Sequence, residues 1–178
     1  IWLDNHLDLM PDYKGDINHC GTPLAHLLRD FPDNINIKNV AHIGSRGFQL
    51  GKASWEEVDK LGLRCFSSQE VKFRGVREII QEALEMVHDG TDAIYMTLDI
   101  DVCDGAYATG TQCNNPGGIN SSELLYMVRE VAKRGVMGFD VMEIAPKADF
   151  NDYTCQLGAC ALLECITGLA LKKRNNMD

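Results

Sequence analysis

Apolar residues fall along this chain in two rhythms. From Gly75 to His88 they recur at Val76, Ile79, Ile80, Ala83, Leu84 and Val87, the three-and-four spacing that keeps one face of a helix apolar. The run Ala93-Ile94-Tyr95-Met96-Thr97-Leu98, by contrast, predicts a buried strand reaching Asp101. The chain opens on Ile1-Trp2-Leu3 with no cap, turn or helix before it, as if inside a strand. Pro23–Leu28 predicts a short helix, and Asn39–Ile43 a strand that stops at Gly44-Ser45-Arg46-Gly47. Ser54 and Glu57 predict a capping box opening a helix to about Leu61, where Gly62 is the stop, and Leu63–Phe66 follows as a short strand. Asn120 with Glu123 predicts a second capping box, for a helix to about Lys133. Gly135–Met142 is a further strand with Glu143 at its end, and Cys155–Leu171 a closing helix, apolar on most sides. Alternating strands and helices predict one α/β domain over residues 1–178 with a mainly parallel sheet, and no repeat or linker divides it.

Two of the predicted strands end in acids. Asp4-Asn5-His6-Leu7-Asp8 follows the first, and Asp99-Ile100-Asp101 closes the run from Ala93. On an extended backbone side chains alternate, so Asp4, His6 and Asp8 are expected on one side, as are Asp99 and Asp101 on theirs. An isolated D-x-D is commonly a cap or a turn, whereas D-x-H-x-D directly after an apolar strand is a sharper signal. Open α/β sheets bind ligands at the carboxyl ends of their strands, so the two clusters are expected to converge. Crowded carboxylates at buried strand ends repel unless cations sit among them. Oxygen-rich ligands with an imidazole suit Mn²⁺, and two ions about 3.5–4 Å apart are a means of activating water.

The 178 residues are enough for a sizeable core, and a hydrophobic content of 45% suits a globular domain. A formal net charge of −9 disfavours nucleic acid and anionic membrane as partners; Lys172-Lys173-Arg174 is the one basic run and reads as a solvated helix end. Seven cysteines form no C-x-x-C pair, which predicts free thiols and a cytoplasmic setting. Cys155, Cys160 and Cys165 fall on the apolar pattern of the last helix and are expected to pack as small hydrophobes. No signal peptide or run of eighteen apolar residues supports secretion or membrane spanning.

At its acidic clusters the chain resembles the ureohydrolases, the family of arginase and agmatinase. The family's D-A-H-x-D matches Asp4-Asn5-His6-Leu7-Asp8, with Asn5 in place of alanine, and S-[LF]-D-[IV]-D matches Thr97-Leu98-Asp99-Ile100-Asp101. The glycine- and proline-rich loop that follows survives as Asp104, Gly110-Thr111 and Pro116-Gly117-Gly118, and Gly138 to Pro146 resembles G-x-D-[IV]-x-E-[VI]-x-P. Motif order and intervals agree along essentially the whole chain. Two departures stand out. No segment matches the family's earlier G-G-D-H, whose histidine completes the first metal site, so the chain reads as the C-terminal portion of the domain. In the loop, Gly105, Thr109 and Gln112-Cys113 replace residues among which prolines are usual, removing backbone restraint.

The resemblance implies a three-layer α/β/α fold, two Mn²⁺ ions per active site, and a homo-oligomer, trimer or hexamer. It implies that Asp4 and Asp99 bridge the ions, that Asp8 binds the first, and that His6 and Asp101 bind the second. It further implies that Glu143 pairs with the guanidinium of a small cationic substrate. His19, in Asn18-His19-Cys20-Gly21-Thr22-Pro23, would pass a proton to the departing amine, since imidazole titrates near neutral pH. His42 and His88 read as structural. The short segment Leu9–Asn18 resembles agmatinase more than arginase, which favours an agmatine-like substrate hydrolysed to urea and an amine. Two readings stay open beside it. One is a non-catalytic or regulatory protein on the same fold. The other, a two-metal phosphoesterase, would want basic residues or a glycine nest near the metals, and no such cationic pair is found.

Overall fold

In a computed structural model that describes residues 1–48 and 50–175, five parallel strands form one sheet. The strands are β1 (Trp2–Leu3), β2 (Ala41–Ile43), β3 (Arg64–Phe66), β4 (Tyr95–Asp99) and β5 (Gly138–Met142), in the order β3-β2-β1-β4-β5. The helices are α1 (Pro23–Asp30), α2 (Lys52–Leu61), α3 (Ser68–Arg74), α4 (Val76–His88), α5 (Ser121–Arg134) and α6 (Tyr153–Asn175).

The pleat sorts the strand residues between two apolar clusters. Leu3, Ala41, Ile43, Phe66, Met96 and Leu98 point into the larger one, with Val71 of α3, the inner face of α4, and residues of α5 and α6. Trp2 and Cys65, one step out of phase, join a smaller cluster with Leu24 of α1 and Val58 of α2. Helices therefore flank both faces, as expected of a mainly parallel α/β sheet.

Local sequence accounts for most of the boundaries. Asn120 accepts from the Glu123 amide while the Glu123 carboxylate accepts from the Asn120 amide, the reciprocal box read from the sequence. The box expected at Ser54 does not form, because α2 starts three residues earlier than that cap would place it, at Lys52, with Gly51 as its N-cap. A helix not anticipated, α3, opens on Ser67, whose hydroxyl accepts from the Glu70 amide at 3.1 Å. The strands are shorter than the apolar runs that signalled them; Ile37–Asn39, for example, is a 3₁₀ turn before β2.

Helix α6 runs further than expected at both ends and is long and apolar enough, by composition alone, to cross a membrane. It lies along α5, where a side chain on Gly168 would collide with Ala132 and the backbone of Arg129, and where Arg129 pairs with Glu164. Its other face leaves Leu162, Leu163 and Ile166 exposed. Of the cysteines expected to pack in this helix only Cys165 is buried: Cys155 is half-buried, and Cys160, on the outer face, is exposed. All seven thiols are free.

Candidate metal centre

Register places the two acidic clusters side by side. Leu3 of β1 is paired with Leu98 of β4, so Asp4 and Asp99, the next residues in each chain, leave the sheet abreast. On the other flank Asp99 is paired with Met142 of β5, which puts Glu143 one step beyond the same sheet edge. This is the carboxyl end of a parallel sheet, where open α/β folds place their ligands.

Beyond Leu3 and Asp99 the convergence comes from turns and not from the pleat. The His6 amide donates to Asp4 Oδ1 at 2.6 Å and the Asp101 amide donates to Asp99 Oδ1 at 2.8 Å, so each cluster folds back on its leading aspartate. Asp101 lies in a 3₁₀ turn, Ile100–Val102, and Asp8 has φ +52° in the left-handed region. The expected alternation of Asp4, His6 and Asp8 along a strand is thus replaced by a turn. Its physical cause is that a carboxylate accepting the amide two residues on competes with the sheet ladder.

Oxygens of Asp4, Asp99 and Asp101 lie within 4.8 Å of one another, and Asp4 and Asp101 are each 1% exposed. His6 Nδ1 stands 3.0 Å from Asp101 Oδ2 and 3.5 Å from Asp4 Oδ1. Trp2 Nε1 donates to the other Asp4 oxygen at 3.1 Å. Burial, then the neighbouring Asp4, pushes the Asp8 carboxyl up to about 9; burial with Asp4 and Asp101 pushes Asp99 up to about 10. Among the described residues no lysine or arginine forms an ion pair with Asp4, Asp8, Asp99 or Asp101. A buried group of oxygen donors with one imidazole and no cationic partner is the donor set that divalent Mn²⁺ requires, so the residues present fit the ion that the resemblance implies.

His19 and Glu143 stand outside this set of contacts. The loop carrying His19 returns to the centre through Met10 N to Gly21 O and Ala25 N to Asp8 O, both 3.1 Å. The half-buried imidazole stacks on Tyr13 at 4.3 Å between centroids and accepts the Gly21 amide at Nδ1, 3.1 Å. Glu143 has φ +63° and is half-buried. After burial, its carboxylate is the largest influence raising the neighbouring Cys20 thiol.

Several supporting residues escaped the sequence reading. Arg46, just past β2, donates Nη2 to the carbonyls of Asp101 (2.7 Å), Cys103 (2.8 Å) and Asn115 (2.9 Å), and Nη1 to Val102 (3.1 Å) and Gly44 (3.4 Å). Asp104 accepts the amides of Ala106, Gly117 and Gly118 at 2.9, 2.6 and 3.2 Å. A Cβ on Gly118 would overlap the backbone of Cys103 and Asp104, so only glycine lets the loop close against the chain leaving the 3₁₀ turn. These bonds fasten the loop whose prolines are missing. Fully buried His42, read as structural, hydrogen-bonds through Nε2 to the His6 carbonyl at 2.5 Å and so fixes the backbone of a candidate ligand. The only sequence signal for Arg46 was an arginine in a glycine-flanked turn at a strand end.

The chain is an α/β domain whose parallel sheet gathers acids and an imidazole at its carboxyl edge. Residues 1–168 match the arginase family, and the chain belongs to that family. Formimidoylglutamase of Bacillus subtilis (strain 168) is 30% identical over 172 residues, covering 96% of this chain and 53% of the relative. Its crystal structure matches with a TM-score of 0.89 at 30% identity, over 94% of this chain and 52% of that one. Agmatinase of the same organism is 31% identical over 172 residues, 94% of this chain and 54% of the relative. Proclavaminate amidinohydrolase of Streptomyces clavuligerus is 34% identical over 154 residues, 86% of this chain and 48% of the relative. The chain spans about half the length of these curated relatives.

Proposed function

We propose that this chain carries the metal-binding half of an amidinohydrolase that cleaves a small linear guanidino compound, of the agmatine type, to urea and an amine. The observation that supports it most is the meeting of buried Asp4 and Asp101 with half-buried Asp99 and His6, without a lysine or arginine partner among the described residues. Asp4, His6, Asp8, Asp99 and Asp101 would hold two Mn²⁺, with Asp4 and Asp99 shared. The ions' contribution is Lewis acidity, which makes water nucleophilic at neutral pH.

The chain's own groups do the rest. Asp8, beside Asp4, would accept a hydrogen bond from the attacking water once the ions hold its carboxylate ionised, and so orient it. Glu143 offers a carboxylate to the planar guanidinium fork and holds the amidine carbon at the sheet edge. Water oxygen bonds to that carbon, the bond to the substituted nitrogen breaks, and the amine departs with a proton. His19 would supply that proton as an imidazolium; here its Nδ1 accepts the Gly21 amide, so taking up the second proton displaces that bond before Nε2 donates to the amine.

An amine tail suits the site better than an anionic one. Arg46, the cation nearest the aspartates in the contacts above, is committed to backbone carbonyls, and the formal net charge of −9 attracts cations. The relatives' names cover both guanidino and formimidoyl compounds, and hydrolysis of either opens the same amidine carbon. The test is incubation of the full-length protein with Mn²⁺ and agmatine, arginine, a guanidino acid or formimidoylglutamate, reading urea from the first three and formamide from the last. Urea from agmatine is expected. Formamide alone would move the substrate to the formimidoyl class, and a folded, metal-bound protein that hydrolyses none of them would contradict an enzymatic role in favour of a regulatory one.

A further inference from the structure

Cys113 lies in the loop after β4, at a position the family motif does not reserve for cysteine. Its Sγ, a nitrogen of His6 and an oxygen of Asp101 all lie within 4.8 Å of one another. The loop that carries it is anchored before and after the cysteine. Gly110 donates its amide to Thr154 Oγ1 at 2.8 Å and accepts the Ala145 amide at 2.7 Å, and Arg46 holds the Asn115 carbonyl at 2.9 Å. The sulfur is therefore held near the imidazole and the carboxylate by a loop fastened at both ends.

We propose that Cys113 is a ligand to the ion that His6 and Asp101 hold, giving that position a nitrogen, oxygen and sulfur donor set. It rests on the reading above that the acidic cluster binds divalent ions, and it adds to that reading a chemical difference between the two positions. The position near Asp8 keeps oxygen donors and suits Mn²⁺. The position at Cys113 gains a soft donor, and thiolate with imidazole and carboxylate is a set that Zn²⁺ and Co²⁺ take up more readily than Mn²⁺. The thiol proton is released to solvent as the metal–sulfur bond forms.

Cobalt is the probe, because its thiolate complexes carry an intense near-ultraviolet charge-transfer band that oxygen and nitrogen ligands do not produce. The full-length protein is titrated with Co²⁺ and compared with Cys113→Ser and Cys20→Ser, with thermal melting to confirm that each variant is folded. The expected result is a charge-transfer band in the wild type and in Cys20→Ser, absent from Cys113→Ser, which still binds cobalt about tenfold or more weakly. Cobalt bound without the band, or a band that survives in Cys113→Ser, overturns the assignment and leaves the metal-centre reading intact. A folded protein that binds no cobalt overturns both.

Discussion

The guanidinium of Arg46 and the backbone carbonyl of Asp101 meet at 2.7 Å, so a side chain from the end of β2 sets the path of the chain as it leaves β4. The same guanidinium holds four other carbonyls, including Asn115 across the loop. Replacing Arg46 by alanine removes the donor and leaves several half-buried carbonyls unpaired. A loss on the order of 3 kcal/mol is expected, since hydrogen bonds to charged groups contribute about 1.5–3 kcal/mol each. The melting temperature, measured on the metal-free protein, should fall by roughly 6–12 °C. Arg46→Lys should recover little, because a single ammonium cannot span the fork. Melting unchanged in Arg46→Ala would remove the brace from the account.

Asn5 stands where the family motif has alanine, and its amide lies against the candidate ligand His6, with Nδ2 3.4 Å from Nε2. Asn5 is fully buried and its Oδ1 has no hydrogen-bond partner. If His6 gives Nδ1 to an ion, Nε2 must carry the hydrogen, and a half-turn of the Asn5 amide would offer Oδ1 to receive it. Asn5→Ala is therefore expected to weaken Mn²⁺ binding by about 10–100-fold, as loss of such an outer partner typically does, with little change in the fold. Equal metal affinity by calorimetry would show that the asparagine only fills space.

Asp104 supplies a pH dependence. The Ala106 amide first, and then the amides of Gly117 and Gly118, hold its carboxyl below the ordinary aspartate range. A carboxylate with a lowered folded-state pKa stabilises the fold above its unfolded value and loses that contribution as the pH falls through the folded one. Wild type should thus exceed Asp104→Asn in melting temperature at pH 6, and the gap should close as the pH drops below about 4. A gap that is constant over this range would assign the loop closure to something other than the charge.

The sequence announced the sheet edge better than it announced what stands there. Apolar runs ending at Leu3 and Leu98 were sufficient to place Asp4 and Asp99 at strand ends, whereas the pairing of Leu3 with Leu98 that makes those ends neighbours is a property of the sheet. The capping box at Asn120 was legible since it is a local exchange of two hydrogen bonds. Ser54 misled because Ser-x-x-Glu also occurs inside a helix; Ser67, with Glu70, carried the true signal but opens a helix of only seven residues. Period-two alternation past Leu3 failed because Asp4 and Asp99 bind the amides that would have continued the strand. The parts played by Arg46 and His42 depend on carbonyls brought to them by distant turns, and nothing near them in sequence encodes that.

Manganese bound per chain tests the central claim most directly. Full-length wild-type protein, dialysed against Mn²⁺ and then freed of loose ions, is expected to retain two ions by elemental analysis, and Asp99→Asn, having lost a shared ligand, to retain one or none. Retention of fewer than one ion by the folded wild type, or of two by Asp99→Asn, would contradict a metal centre built on Asp4 and Asp99.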